Sequence, residues 1–231
     1  GAYALPGLVD IHFHGAMGKD FCDGNEEAIQ TLADFEAGKG VLAICPATMT
    51  FSEEILNGVM DAAAAHQNGR GADLVGINME GPFIHPAYKG AHEENYIADF
   101  DFDFIKRYSD VIRVVTVAPD KEGGMEFIRK VTSETPVHVS IGHTAATYEQ
   151  AMEAIACGAT QVTHLYNAMT PMHHRKPGVV TAALRSDVYT EMICGKSLEL
   201  SWKNLPIVYK EPHNMEARAN MSLAAYLALT G

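Results

Sequence analysis

His12 and His14 stand on either side of Phe13 at the end of the apolar run Leu5–His14. Side chains alternate faces along a strand, so both imidazoles project to one side while Phe13 points away. Two imidazoles converging from a strand end suit a pair of metal ligands, although an HxH spacing alone arises often by chance. Glu80 closes the apolar run Leu74–Glu80 and is followed by Gly81-Pro82, which turns the chain away. A carboxylate there is costly to bury unless it is paired or bound to metal, and the alternative is a solvated strand end. His143 follows the run Val137–Ile141, and His164 closes Gln161–His164. A single strand-end histidine can be purely structural; five ligand-type side chains at the ends of four runs point to a divalent-metal site of one or two ions. Imidazole and carboxylate without thiolate suit zinc, iron, manganese or a similar ion, and the residue types do not choose among them. Such an ion can polarise a carbonyl and acidify water, so hydrolysis of an amide or ester is its simplest use.

The elements that must position these residues alternate. Apolar, β-rich runs at Leu5–His14, Val41–Pro46, Leu74–Glu80, Ile112–Ala118, Val137–Ile141, Gln161–His164 and Tyr189–Ile193 are separated mostly by helical stretches at Glu26–Ala37, Glu53–Ala65, Phe102–Tyr108, Met125–Val131 and Tyr148–Ala156. Thr147 stands where a helix cap would be. Strand-then-helix order argues for parallel βα units, and continuous apolar strands fit a sheet covered on both faces. The fold class expected is α/β, a TIM-type (β/α)8 barrel of the metal-dependent hydrolase kind, in which the C-terminal strand ends gather around one mouth. Only seven strand candidates are found, so the barrel reads as incomplete. Its domain is expected over residues 1–194, with a composition change at Cys194–Gly195 and a divergent tail over 195–231. Within the tail, Gly195–Lys210 gives no clear βα unit and 211–231 is expected to be helical.

The bulk properties agree. A chain of 231 residues with 47% hydrophobic content suits one globular domain, slightly short of the ~250 residues typical of a full barrel. A formal charge of −12 argues against a nucleic-acid surface but permits a small anionic substrate held by a few local basic groups. Cys22, Cys45, Cys157 and Cys194 form no CxxC pair, so neither a disulfide framework nor a thiolate zinc site is expected. No apolar run approaches the ~20 residues that span a bilayer. Gly1-Ala2-Tyr3 carries neither an initiator Met nor a signal pattern and reads as an interior starting point. A cytoplasmic location is expected.

Leu8-Val9-Asp10-Ile11-His12-Phe13-His14-Gly15, Met79-Glu80-Gly81-Pro82-Phe83, Lys89-Gly90-Ala91-His92, Ile141-Gly142-His143-Thr144 and Thr163-His164-Leu165-Tyr166-Asn167-Ala168-Met169 occur in that order. Together they resemble the N-acetylglucosamine-6-phosphate deacetylases of the amidohydrolase superfamily, over roughly Leu5 to Cys194, and the last of these runs is the most distinctive. The resemblance implies metal-dependent hydrolysis of the acetamide of N-acetylglucosamine 6-phosphate. It places Glu80, His143 and His164 in the main metal site and, in members that bind two ions, His12 and His14 in a second, with Glu80 in the bridging role that related barrels give to a carboxylated lysine. It also implies that His92 touches the sugar or the amide carbonyl and that Asn167 and Ala168 contribute to phosphate or sugar binding. Arg175 would meet the 6-phosphate, across a homodimer interface. A guanidinium suits phosphate through bidentate, charge-assisted bonds, the alternative being a solvated loop arginine.

The sequence departs from that family in two respects. The β-sandwich segment that precedes the barrel in the family is not found. Neither the Asp-Gly and substrate-binding His after the seventh strand nor the Thr-Asp-Ala run that brings the family's general base is present. Glu199, Glu211 and Glu216, the acids after Cys194, follow no apolar strand, so the catalytic base is unassigned. Alternative readings are a non-catalytic remnant that binds metal and sugar phosphate, or another amide-hydrolysing barrel. Pro212-His213-Asn214-Met215-Glu216-Ala217-Arg218-Ala219-Asn220 resembles a short segment of iron-dependent alcohol dehydrogenases, the alternative being an Ala-rich helix packed on the barrel. His66, His85, His138, His173, His174 and His213 are given no role.

Overall fold

The structure, a computed structural model, describes residues 7–191 together with 203–204, 206–208, 210–211 and 213–221. In chain order its elements are β1 (Leu8–Asp10), β2 (Gly15–Ala16), β3 (Lys19–Asp20), α1 (Glu26–Ala37), β4 (Val41–Ile44), α2 (Glu53–Ala65), β5 (Asp73–Leu74) and β6 (Ile77–Met79). There follow α3 (Phe102–Arg107), β7 (Ile112–Val117), α4 (Gly124–Glu134), β8 (His138–Ile141), α5 (Tyr148–Ala156), β9 (Gln161–Val162), α6 (Val179–Leu184) and β10 (Tyr189–Thr190).

The helices begin where short polar side chains can replace the missing backbone acceptors. Asn25, Ser52, Asp101 and Thr147 each accept a backbone N–H from the first turn of α1, α2, α3 and α5. At Thr147 the Gln150 side chain reciprocates, completing a capping box. Glu26 and Glu27 in α1 and Glu53 and Glu54 in α2 place negative charge at the positive helix ends. Helix α6 was not expected. It opens on two valines after Gly178 with no side-chain cap, and is held by burial of Val179, Val180, Ala182 and Ala183 rather than by local signals.

All barrel pairings are parallel. One sheet runs β1-β4-β5 and the other β6-β7-β8-β9-β10, while β2 and β3 form a small antiparallel hairpin. The run Leu74–Glu80, expected as one strand, is therefore two. β5 pairs with β4 and β6 with β7, and the chain crosses between sheets at Val75-Gly76. A Cβ on Gly76 would lie 2.1 Å from Cγ of Arg113, whose Nε donates to the Val75 carbonyl, so the crossing is packed too closely for a side chain. The two sheets are tied by the parallel bridge Ala47–Asn78, with Asn78 N–H donating to Pro46 O and Thr48 N–H to Asn78 O, both at 3.0 Å. Counting β5 and β6 as one position, the described residues supply seven positions of a parallel α/β barrel, as expected.

Two faces of the strands are used differently. Ile77, Met79, Ile112, Val115, Val117, Val139, Ile141 and Val162 join one buried cluster with Ile29 and Leu32 of α1, Met60 of α2, Ile105 of α3 and Ile128 of α4. Each such side chain contributes about 1.5–3 kcal/mol on burial. Thr116, Ser140 and Thr163 carry hydroxyls that bond one another, Thr116 to Thr163 at 2.9 Å and Ser140 to Thr163 at 2.6 Å. These fully buried polar groups satisfy each other and lie below the strand ends that carry the histidines.

Cys22, Cys45 and Cys157 are free thiols, and burial pushes those of Cys22 and Cys45 up to about 12, which leaves them protonated and unreactive. No helix among the described residues is long and apolar enough to cross a membrane. In the tail, 203–204, 206–208, 210 and 215–221 are helical, whereas 211 and 213–214 of the expected final helix are not; the expected boundary at Cys194–Gly195 and residues 222–231 lie outside the described residues.

Ile128, fully buried at the centre of α4 and belonging to no ligand-bearing segment, tests the helix-to-barrel packing. Ile128→Ala is expected to lower the free energy of unfolding by about 2–5 kcal/mol. Leu42→Ala, at a position 56% exposed, should change it by about 0.5 kcal/mol or less. Denaturant titration of both variants gives the comparison.

Candidate metal centre

The segment beyond β1 is fixed before its side chains are considered. Asp10 accepts the His12 N–H at 3.0 Å, Asn78 donates its side-chain amide to Ile11 O at 2.9 Å, and Ala47 N–H donates to Phe13 O at 2.8 Å. His12 and His14 project to one side as expected, and their Nε2 atoms lie 3.3 and 3.2 Å from Oε2 of Glu80. Glu80 itself is 2% exposed. The residue after it is at φ +80, where a Cβ would lie 2.0 Å from Oγ1 of Thr50, so only glycine allows the chain to leave the strand this tightly.

His143 and His164 approach Glu80 from β8 and β9. Both have left-handed backbones, at φ 47 and φ 27, a region that costs a non-glycine residue on the order of 1–3 kcal/mol. His143 Nε2 lies 2.9 Å and His164 Nε2 3.0 Å from Oε1 of Glu80, and the two nitrogens are 2.9 Å apart. The other ring nitrogens define the tautomers. His143 Nδ1 faces the Tyr88 carbonyl at 2.8 Å and His164 Nδ1 the Asn167 carbonyl at 3.1 Å. A carbonyl only accepts, so both Nδ1 atoms carry a proton, and in the neutral tautomer that this defines each Nε2 would present its lone pair to the other and to a carboxylate. Three lone-pair donors at such distances repel unless a cation lies among them. The donor set fits a divalent ion.

The same holds on the other side. His12 Nδ1 is 2.9 Å from Oε2 of Glu191, which leaves Nε2 facing Glu80. Burial disfavours the charged form of His12, but the bonds to Glu191 and Glu80 outweigh it and push its pKa up to about 10. Without an ion the ring therefore carries a second proton, on Nε2 toward Glu80, in the place that a metal cation would take. Burial would raise the Glu80 pKa, yet the four surrounding imidazoles, His12, His14, His143 and His164, hold it well below the usual carboxylate range. Two ligand groups share Glu80, namely His12, His14 and Glu80, and Glu80, His143 and His164; the ligand atoms of each group lie within 4.8 Å of one another.

His92 is 3% exposed. Its Nδ1 accepts the Thr50 N–H at 3.1 Å, so the proton sits on Nε2, which points at the cluster 3.8 Å from Oε2 of Glu80. Burial lowers its pKa against the pull of Glu80, so it is a neutral donor. Asn167 and Ala168 form the turn after His164. Asn167 supplies the carbonyl that orients His164, and Ala168, at φ 48, accepts the Thr144 N–H at 3.1 Å. Arg175 is exposed and lines a cavity of about 670 Å³ with Thr147, Thr170, His173 and Lys176, none of them a ligand candidate.

Sequence reasoning missed Glu191. It is buried, accepts from Gln161 Nε2 on Oε1 and from the His164 N–H on Oε2, and holds His12. The signal was the same as at Glu80, an acid within an apolar run at a strand end.

The amidohydrolase family matches residues 3–224 of the chain. The chain belongs to this family. Among its relatives, N-acetylglucosamine-6-phosphate deacetylase of Bacillus subtilis is 35% identical over 82% of this chain and 50% of that protein. N-acetylgalactosamine-6-phosphate deacetylase of Escherichia coli is 37% identical over 78% of this chain and 49% of that protein. Among solved structures, N-acetylglucosamine-6-phosphate deacetylase of Thermotoga maritima is 30% identical with a TM-score of 0.76, covering 89% of this chain and 55% of that one. The chain spans about half the length of the curated relatives it matches. The resemblance read from the sequence is thereby supported. Amidohydrolases are generally metal-dependent, and this amidohydrolase carries two groups of the right residue types to hold an ion.

The packing of Thr50 against Gly81 is open to a double-mutant cycle. Thr50 Oγ1 is buried with no hydrogen-bond partner among the described residues, so Thr50→Ala should cost little. Gly81→Ala should destabilise by more than about 1 kcal/mol from the left-handed backbone alone. The double variant should be more stable than the sum of the two single effects, because the clash is removed. Thermal unfolding of the four proteins would show the coupling.

Proposed function

We propose that this chain carries the metal centre of a deacetylase that hydrolyses the acetamide of an N-acetylhexosamine 6-phosphate, with N-acetylglucosamine 6-phosphate as the substrate to test first. The products are acetate and glucosamine 6-phosphate. The observation that carries the reading is the convergence of His143 Nε2 and His164 Nε2 on Oε1 of Glu80, with both Nδ1 protons committed elsewhere. Glu80, His143 and His164 would hold the main ion, of zinc, iron, manganese or similar type, and His12 and His14 a second. A divalent cation there supplies a polarised amide carbonyl and a more acidic water.

The remaining steps belong to the protein. His92, with its proton fixed on Nε2 and turned toward the cluster, donates to the carbonyl oxygen as negative charge develops on it. Hydrolysis also needs a group to take and return a proton. Glu191 does not serve, because both its oxygens are engaged by His12, Gln161 and the His164 N–H. Asn167 and Ala168, in the turn beside His164, stand where a sugar or phosphate group could reach backbone and amide atoms. Arg175 pairs with the 6-phosphate of substrate held by the neighbouring subunit of a homodimer. Its exposure, on a cavity lined by none of the ligand candidates, favours such an arrangement.

Acetate release from N-acetylglucosamine 6-phosphate by protein reconstituted with zinc tests the reading, with Glu80→Gln and chelator-treated protein as controls. Turnover that is lost in both controls supports it. A folded, ion-bearing protein that binds the sugar phosphate without releasing acetate would leave binding as the function of this chain. If turnover is seen, His92→Asn should lower kcat about 10²–10³-fold, with ion content unchanged. Arg175→Ala should raise KM for the 6-phosphate while leaving any turnover of the unphosphorylated sugar unchanged.

A further inference from the structure

Glu191 follows β10, the last described strand, and its carboxylate reaches across to the segment that follows β1, the first. It is 4% exposed, and its oxygens make three hydrogen bonds. Oε2 accepts from His12 Nδ1 and from the backbone N–H of His164, each at 2.9 Å, and Oε1 accepts from Gln161 Nε2, also at 2.9 Å. One oxygen therefore touches a ligand candidate of each ligand group. We propose that Glu191 is a positioning residue that makes His12 a ligand. By accepting the Nδ1 hydrogen bond it keeps that proton in place when an ion displaces the one on Nε2, so that Nε2 is the nitrogen aimed at Glu80 and the ion, and by accepting the His164 N–H it ties that ligand's strained backbone to the same point.

The argument is one of satisfaction and geometry. A neutral imidazole carries one proton, and the nitrogen that lacks it is the one able to bind an ion. Of the ring nitrogens that face away from the cluster, those of His143 and His164 are fixed by backbone carbonyls, whereas that of His12 is fixed by a carboxylate. A carboxylate partner raises the basicity of the opposite nitrogen more than a carbonyl does, so His12 is the better donor of the pair it forms with His14. His14 Nδ1 is buried with no partner among the described residues, so nothing fixes its tautomer in the same way. The ion held by His12, His14 and Glu80 therefore depends on Glu191 more than the ion held by Glu80, His143 and His164 does.

This inference rests on the metal-centre part of the reading above, and its test does not use turnover. Stepwise zinc titration of the ion-free protein against a chromophoric chelator, with ion content after gel filtration, reads each site separately. Wild type is expected to bind two ions. Glu191→Ala should weaken the second ion about 10–100-fold with a smaller effect on the first. Glu191→Gln, which keeps an oxygen able to accept the His12 proton, should recover part of that loss and guards against a folding defect in the alanine variant. Nitrogen-15 NMR of histidine-labelled protein should show His12 protonated on Nδ1 in the zinc-loaded wild type and lose that signature in Glu191→Ala. Two ions bound equally tightly by wild type and both variants, or a His12 tautomer that does not respond, would overturn the positioning role while leaving the metal centre intact. A wild type that binds no zinc would instead overturn the metal centre, and the inference with it.

Discussion

A buried carboxylate is the constraint around which this molecule is arranged. Glu80 is 2% exposed, and an ionised carboxylate in such a place is stable only with partners that return what hydration supplied. Four imidazoles surround it, each within 3.3 Å of one of its oxygens, and a proton or a cation between nitrogen and oxygen makes each contact favourable. No contiguous stretch of chain could bring them there. They come from the ends of three different strands, while Glu80 comes from a fourth, and a parallel barrel is the arrangement that gathers such ends at one rim.

That arrangement explains features that would be faults elsewhere. The left-handed backbones of His143 and His164 are unfavourable, and they accompany rings whose Nδ1 bonds a backbone carbonyl and whose Nε2 is turned toward Glu80. The hydroxyls of Thr116, Ser140 and Thr163 are buried on strands whose other face is apolar, and they are tolerated because they bond one another. Stability and chemistry are thus divided between the two faces of the same strands. The apolar faces of β6, β7, β8 and β9 and the helices over them supply the burial that offsets the polar and strained centre.

The site also reconciles a net charge of −12 with the negatively charged substrate proposed for it. Local field, not total charge, determines what a mouth attracts. Cations held at Glu80 and an exposed guanidinium at Arg175 would place positive charge where a sugar phosphate needs it, while the acidic remainder is spread over the surface. Membership in the amidohydrolase family accounts for the scaffold, but a fold hosts many reactions, and it is the donor set that argues for this one.

The sequence by itself determined the alternation of βα units, because apolar runs and helix caps such as Asn25, Ser52 and Thr147 are local signals. It also determined the candidate ligands, since His12, His14, Glu80, His143 and His164 each end an apolar run or follow one closely. Only the tertiary structure decided what depends on contacts between distant segments. The break of Leu74–Glu80 into β5 and β6 arises because neighbouring strands compete for it, and α6 forms through burial without a cap. The tautomers of His12, His143 and His164 are defined by Glu191, Tyr88 and Asn167, and for His12 the partner is 179 residues away. Such pairings are invisible to periodicity and spacing, because hydrogen-bond geometry is fixed only when the barrel brings its ends together.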